Sequence, residues 1–299
     1  MEIANPIYDV VFKYLMEDHD IARLIISTII KQKVKSLELK PQESTVELTI
    51  GSLTVYRLDF AAKIETPDGG LKTVLIEIQK AKLATDVMRF RTYLGEQYQS
   101  KENTYKKKVI RKYAGHPVEV EETKAIPILS IYFLGYPLEH FHVPVIRVQR
   151  DIYNDATNEK LEGREEFIEC LTHDSYIIQV PYLKDDQKTE LEKMLRVFDQ
   201  SKKTADYRVL NIREEDYPEK YRPIVRRLQR AIALPDFRRK MSLEDEVIDE
   251  LKKKERVILQ QKEILKKTEI IMAEKDKALE EKDKALDRNK AALEEKDKA

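Results

Sequence analysis

The run from Leu53 to Thr66, the turn Pro67-Asp68-Gly69-Gly70 and the run from Lys72 to Gln79 constrain the fold more than any other segment. Both runs are rich in Val, Ile, Leu, Thr and aromatic residues, which suit a pleated, half-buried strand. Between them, Pro fixes one φ and Gly supplies a left-handed position, the chemistry of a tight turn. The spacing predicts an antiparallel hairpin. Alternation then places Val74, Ile76 and Ile78 on one face of the second strand and Leu75, Glu77 and Gln79 on the other. On the first strand Val55, Arg57 and Asp59 share a face. A turn centred near Asp68 and Gly69 brings Asp59 level with Glu77, within a residue or two.

A strand of Val, Leu and Ile has no packing use for a carboxylate and an amide. Burying them unpaired would cost on the order of a few kcal/mol each. Two carboxylates converging from paired strands also repel strongly in a low dielectric. A hard dication with oxygen ligands resolves both problems. Mg²⁺ or Mn²⁺, held by Asp59, Glu77 and the backbone carbonyl of Ile78 with waters, fits the donor set. Gln79 cannot titrate; it can orient an attacking water or contact a phosphate, but it is a poor base. Lys80 is expected on the opposite strand face. Spacing alone leaves a second reading open, in which Asp59 and Glu77 pair with Arg57, Arg89 or Arg91 on a solvated sheet face.

Elsewhere the periodicity predicts helices over 7–16 and 20–30, a turn at Leu48–Gly51, and a helix carrying Leu83, Val87, Phe90 and Leu94 on one face. Ala125–Leu134 reads as a buried central strand. Val143–Tyr153 and Glu166–Tyr182 read as strands, 184–200 and 216–240 as helices. This order argues for α/β or α+β, not for a bundle or a sandwich. Charged residues make up 37% of the chain, well above the roughly 25% of ordinary globular chains. The formal net charge is zero, so any nucleic-acid contact must come from local patches. The best one is Lys106-Lys107-Lys108 with Arg111 and Lys112, between Tyr105 and Tyr113; a solvated charge run is the other reading. The single Cys170 permits no intramolecular disulfide and no Cys-based zinc site. The start Met1-Glu2-Ile3-Ala4 lacks signal-peptide features, and no apolar run approaches the roughly 18 residues of a membrane helix. The expectation is a soluble, cytoplasmic protein with no membrane partner.

The character changes near Met241. From there to Ala299 there is no Pro, Gly or aromatic residue. Leu251, Ile258, Leu265, Met272, Leu279, Leu286 and Leu293 keep a strict spacing of seven, which argues for a supercoil. The positions three residues on are polar (Lys254, Gln261, Thr268, Lys275), so the seam is narrow. The chain is therefore divided into a domain over 1–240 and a charged heptad-repeat helix over 241–299. Residues 242–299 provide a possible homo-oligomer contact; a solvated helix held by pairs such as Glu280–Lys284 is the alternative.

Asp59, about eighteen residues, and then Glu77-Ile78-Gln79 resembles the Asp…Glu-x-Lys signature of PD-(D/E)XK nucleases. The chain is most similar to the branch known as PD-(D/E)XK nuclease family transposases, or recombination-promoting nucleases. Asn5-Pro6-Ile7-Tyr8-Asp9-Val10-Val11-Phe12-Lys13 resembles that family's opening, and Arg89-Phe90-Arg91-Thr92-Tyr93 its Arg-x-x-x-Tyr helix. The resemblance covers roughly residues 1–240. It implies a restriction-endonuclease-like α/β core, a mixed sheet flanked by helices, with a long C-terminal helix to follow. It further implies Mg²⁺-dependent cleavage of DNA in recombination or transposition. By carry-over Asp59 and Glu77 are catalytic metal ligands, Gln79 stands in place of the general Lys, and Asp9 and Lys13 support the site. Arg89 and Tyr93 would bind phosphate beside the metal, with Lys106, Lys107 and Lys108 as further DNA contacts. Leu58 and Gln79 depart from the Pro and Lys of the family's pattern. Gln79 leaves no obvious base, and that motivates a competing expectation: a nuclease-fold scaffold with little turnover that oligomerises through its tail.

Overall fold

In the computed structural model the described residues are all but 45–56, 68, 83–85, 114–115, 164, 185–188 and 297–299; side chains are described except also at 39–44, 57–59, 86–87, 89, 113 and 286–296. The elements run β1 (Glu2–Ala4), α1 (Asp9–Met16), α2 (His19–Ile30), β2 (Ser36–Ser44), β3 (Arg57–Glu65), β4 (Leu71–Gln79) and α3 (Asp86–Gln99). There follow β5 (Thr104–Tyr113), β6 (His116–Ala125), β7 (Ile128–Leu134), β8 (Val145–Val148), α4 (Glu166–Leu171) and β9 (Asp174–Gln179). The last elements are α5 (Glu190–Leu195), β10 (Val209–Asn211), α6 (Arg222–Ile232) and α7 (Pro235–Lys296).

The main sheet has the order β2-β3-β4-β7-β9-β8. It is mixed: β4, β7 and β9 are parallel, while β2, β3 and β8 run antiparallel to their neighbours. The β3–β4 hairpin forms as expected. Its turn is closed by Thr66 and Gly70, whose N–H···O bond is 2.9 Å, and Gly69 takes a φ of +79°, where a side chain would be strained. The register pairs Phe60 with Ile76 and Ala62 with Val74. The expected turn at Leu48–Gly51 lies outside the described residues.

Val74, Ile76 and Ile78 face the larger core with Phe60, Ala62 and Ile64, and α1, α2 and α6 supply its other half. Phe12 of α1 sits at the centre, with ring centroids 5.1 Å from Phe133 and 6.1 Å from Phe60; Phe198 lies 4.9 Å from Phe133. Helix α2 starts on an Asp18 cap whose carboxylate accepts from the N–H of Asp20 and Ile21. On the other face of the sheet α3 packs Phe90 against Tyr132 of β7, 5.1 Å between centroids.

Several expected elements come out differently. Val143–Tyr153 is strand only over Val145–Val148, where it pairs with β9. Glu166–Tyr182 divides into the short helix α4 and β9. The charged patch of Lys106, Lys107, Lys108, Arg111 and Lys112 lies on β5, one strand of the two-stranded sheet β5–β6. The chain separates into two compact units, Met1–Val247 and Ile248–Ala299. Met241, near the composition change, is buried, so the first turns of α7 belong to the first unit. The second unit is a single helix. Among the described residues no helix is long and apolar enough to cross a membrane.

Candidate metal centre on strand β4

Glu77 and Gln79 lie on the α3 side of β4, in the middle of the sheet, and are 8% and 4% exposed. Their strand is fixed on both sides, by β3 and by β7, where Glu77 pairs with Tyr132. Glu77 helps to line a small, half-open cleft with Leu75, Phe90, Tyr93, Leu94 and Tyr132. The register Phe60–Ile76, carried one residue further, sets the backbone of Asp59 opposite Glu77. The side chain of Asp59 is outside the described ones.

The carbonyl of Ile78 can be placed by alternation. Gln79 accepts from the N–H of Gly135 at 2.6 Å, so its carbonyl points toward β7. Successive carbonyls along a strand point in opposite directions, and that of Ile78 therefore points toward β3, past the last hydrogen-bonded pair and on the side of Asp59. Gln79 is held at one end only. Its Oε1 accepts from the hydroxyl of Tyr136 at 3.3 Å, while its buried Nε2 has no hydrogen-bond partner among the described residues. Gly135 allows this arrangement: a Cβ there would stand 2.4 Å from the carbonyl oxygen of Lys80. Among the described side chains no group of three or more His, Cys, Asp or Glu could hold a metal ion. The hairpin brings the backbone of Asp59 and the Ile78 carbonyl to the end of β4 that carries Glu77, and carboxylate and carbonyl oxygens are hard donors.

On the other face, the α1 side, Lys80 leaves the end of β4 and enters a charged cluster, in keeping with the expected alternation. Its ammonium lies 3.5 Å from the centroid of the Tyr8 ring and forms an ion pair with Asp245 of α7. Asp245 also accepts from the Tyr8 hydroxyl at 3.1 Å and from Arg208 Nε at 3.0 Å. Burial lowers the Lys80 ammonium below its ordinary pKa, although Asp245 and Glu244 partly oppose this. Burial, followed by the charge of Asp9, pushes the Glu244 carboxyl well above its ordinary value. Glu244 accepts from the backbone N–H of Asp9 at 3.0 Å.

The other expected residues divide between the two faces. Asp9 and Lys13 stand on α1, which packs on the Ile76–Ile78 face, whereas Glu77 and Gln79 face α3. Asp9 meets α7, and Lys13 is half-buried in the last turn of α1. Tyr93 is 6% exposed and lines the cleft beside Glu77 with Phe90 and Leu94, so it packs with the apolar face of α3. Arg89 is in the first turns of α3, but its side chain is outside the described ones. Lys106 and Lys108 reach across to Glu121 and Glu119 at 3.4 and 2.6 Å, leaving Lys107 as the member of the triplet outside these pairs. Sequence reasoning missed Asp245, because its partners Lys80 and Tyr8 are 165 and 237 residues away. No periodicity or motif spacing connects positions so far apart.

No protein-family model matches the chain, and neither does any curated protein or solved structure.

Proposed function

We propose that this chain is a Mg²⁺-dependent DNA endonuclease of the PD-(D/E)XK type, cutting phosphodiesters in the service of recombination or transposition. The observation that carries this reading is the hairpin register, which sets Asp59 across from a Glu77 buried in mid-sheet with Gln79 beside it. Asp59, Glu77 and the Ile78 carbonyl are the residues that would hold the ion. When bound, Mg²⁺ or Mn²⁺ lowers the pKa of a coordinated water and neutralises charge developing on the phosphate. Gln79, through its free amide nitrogen, donates to a phosphate oxygen; its oxygen is already engaged by Tyr136. Tyr93 and Phe90 close the floor of the site and keep Glu77 from bulk water. Incubation of supercoiled plasmid tests the reading. Nicking in Mg²⁺ and none in EDTA is the expected result; no Mg²⁺-dependent nicking overturns it.

A specific observation favours a second role in self-association. Beyond Val247 the helix α7 leaves large apolar residues half to two-thirds exposed, among them Ile258, Leu265, Met272 and Leu279 at the period of seven. Exposed apolar stripes of this kind mark contact surfaces. Sedimentation equilibrium of the full chain against residues 1–247 is expected to give an oligomer and a monomer. Equal protomer numbers for both would rule out the tail as the contact.

A further inference from the structure

Among the described residues β5 and β6 pair only with each other, with ten residues in each strand. At ~3.3 Å per residue the ribbon reaches about 33 Å. A lone two-stranded ribbon is only marginally stable, and here nearly every side chain of it is exposed or half-exposed. Its base is firmly held. Thr73 of β4 donates to Asn103 Oδ1 at 3.0 Å, and Asn103 Nδ2 donates to the Gln97 backbone and side-chain oxygens at 2.9 and 2.8 Å. The three residues are 1–7% exposed. The anchor on β4 is four residues from Glu77, or about 13 Å along the strand.

The charge of the ribbon is uneven. Residues 104–125 carry six Lys or Arg against three Glu, in a chain whose formal net charge is zero. All five basic residues of β5 come without an acid on that strand. Lys106, Lys108 and Arg111 are paired across the ribbon with Glu121, Glu119 and Glu122. Arg111 and Lys124 together hold the Glu122 carboxyl below its ordinary range. Among the described residues neither the Lys107 nor the Lys112 side chain has an ion pair or hydrogen bond. Toward the tip Ile110, on the face of Lys112, is 75% exposed, and Val118, on the face of Lys107, is 41% exposed.

We infer that the β5–β6 ribbon is a duplex-gripping arm that lies in the major groove of DNA, with Ile110 against the base edges and Lys112, on the same face, on the phosphates. Two strands about 4.8 Å apart fit a groove about 12 Å wide, which admits a β-ribbon. An exposed aliphatic tip suits contact with thymine methyl groups. A second copy of this chain is a poorer occupant, because lysines along an edge strand discourage edge-to-edge pairing. The inference rests on the nuclease reading for its choice of partner. Substrate would then be held by an arm fixed to the strand that carries Glu77.

The test is fluorescence anisotropy of a labelled duplex of about 20 base pairs, in EDTA, over a salt series. The full chain is compared with Lys112→Ala, with Lys107→Ala on the reverse face, and separately with Ile110→Ser. Lys112→Ala is expected to make the slope of log K against log salt shallower by about one, for one lost phosphate contact, and Lys107→Ala to leave it as it was. Ile110→Ser is expected to weaken duplex binding and leave the slope as it was. Unchanged affinity and slope in Lys112→Ala overturn the arm, as does an equal change in Lys107→Ala. So does equal binding of duplex RNA, whose deep, narrow major groove excludes a ribbon. Altered self-association with unaltered DNA binding also overturns it, in favour of a contact between copies. Plasmid nicking run in parallel separates the two readings. Arm-dependent binding without Mg²⁺-dependent nicking sustains the arm and sinks the nuclease; nicking with arm-independent binding does the reverse.

Discussion

Asp245→Ala is expected to lower the unfolding free energy of the first unit by about 3 kcal/mol, the low end of the range for breaking a buried ion pair. The Asp245 side chain is 14% exposed and joins three partners: the Tyr8 hydroxyl, the Lys80 ammonium and the Arg208 guanidinium. Its removal takes the shared counter-charge from two cations, themselves about 20% exposed, and leaves Arg208 only its longer pair with Asp206 at 3.6 Å. It also loosens the first turns of α7, which meet α1 through Glu244 and the N–H of Asp9. The low end applies because some water reaches all three partners. Urea unfolding read by tyrosine fluorescence is the measurement. The chain has no Trp, and no aromatic residue follows Phe237, so the signal reports the first unit and not the outer helix. Lys284→Ala is the control. It breaks an exposed pair with Glu280, 2.7 Å long, and should change stability by no more than ~0.5 kcal/mol. A loss below ~1 kcal/mol in Asp245→Ala would mean that the cluster holds the helix only loosely.

That cluster illustrates what the sequence conceals. The β3–β4 hairpin was legible because everything that fixes it is local: a Pro-Asp-Gly-Gly turn, two runs of β-formers and a period of two. Its register followed from the same signals, and with it the level of Asp59 against Glu77. The α/β character and the long final helix were also readable, from the order of apolar runs and from the loss of Pro and Gly after Met241; the mixed sheet flanked by helices was what the nuclease resemblance implied. Elements without a strong apolar period were not. The β5–β6 ribbon buries almost no apolar surface, so its sequence looks like a solvated charge run, and the register that pairs Lys108 with Glu121 leaves no mark in composition. Residues 166–182 are apolar enough for one strand, yet Glu166 and Glu169 put negative charge in the first turn of a helix, where it is favourable, and the extended Thr172 ends it before β9 begins. Helix α5 is cut to six residues around a capping box of Thr189 and Glu192, and 3₁₀ turns at Arg196–Phe198 and Gln200–Lys202 follow it. The two faces of β4 were both predicted, but not their occupants. Asp9 and Lys13 look like companions of Glu77 in the sequence, and α1 packs on the opposite face.

Glu77→Gln is expected to abolish nicking while leaving the fold at least as stable. The substitution keeps shape and removes charge, so the cleft with Phe90, Tyr93 and Leu94 is still filled. A carboxylate with 8% exposure beside apolar walls carries a desolvation cost that an amide carries less; the unfolding midpoint should therefore hold or rise. Activity responds in the other direction. Losing even an outer-shell partner of a metal typically costs 10–100-fold in affinity or rate, so loss of a direct ligand should cost at least about 100-fold. Calorimetric titration with Mg²⁺ should show weak binding to the wild type and none to Glu77→Gln or Asp59→Ala, which ties the two strands of the hairpin to one ion. The combination is diagnostic, because a residue retained for stability shows the opposite pattern. If Glu77→Gln unfolds several kcal/mol more easily, the carboxylate is a packing element, and loss of nicking says nothing about chemistry. If it nicks plasmid as fast as the wild type, the centre lies elsewhere. Gln79→Ala separates the roles further. Gln79 would act on the phosphate and not on the ion, so metal binding should persist while nicking falls, and a loss of both would make Gln79 part of the metal's support instead.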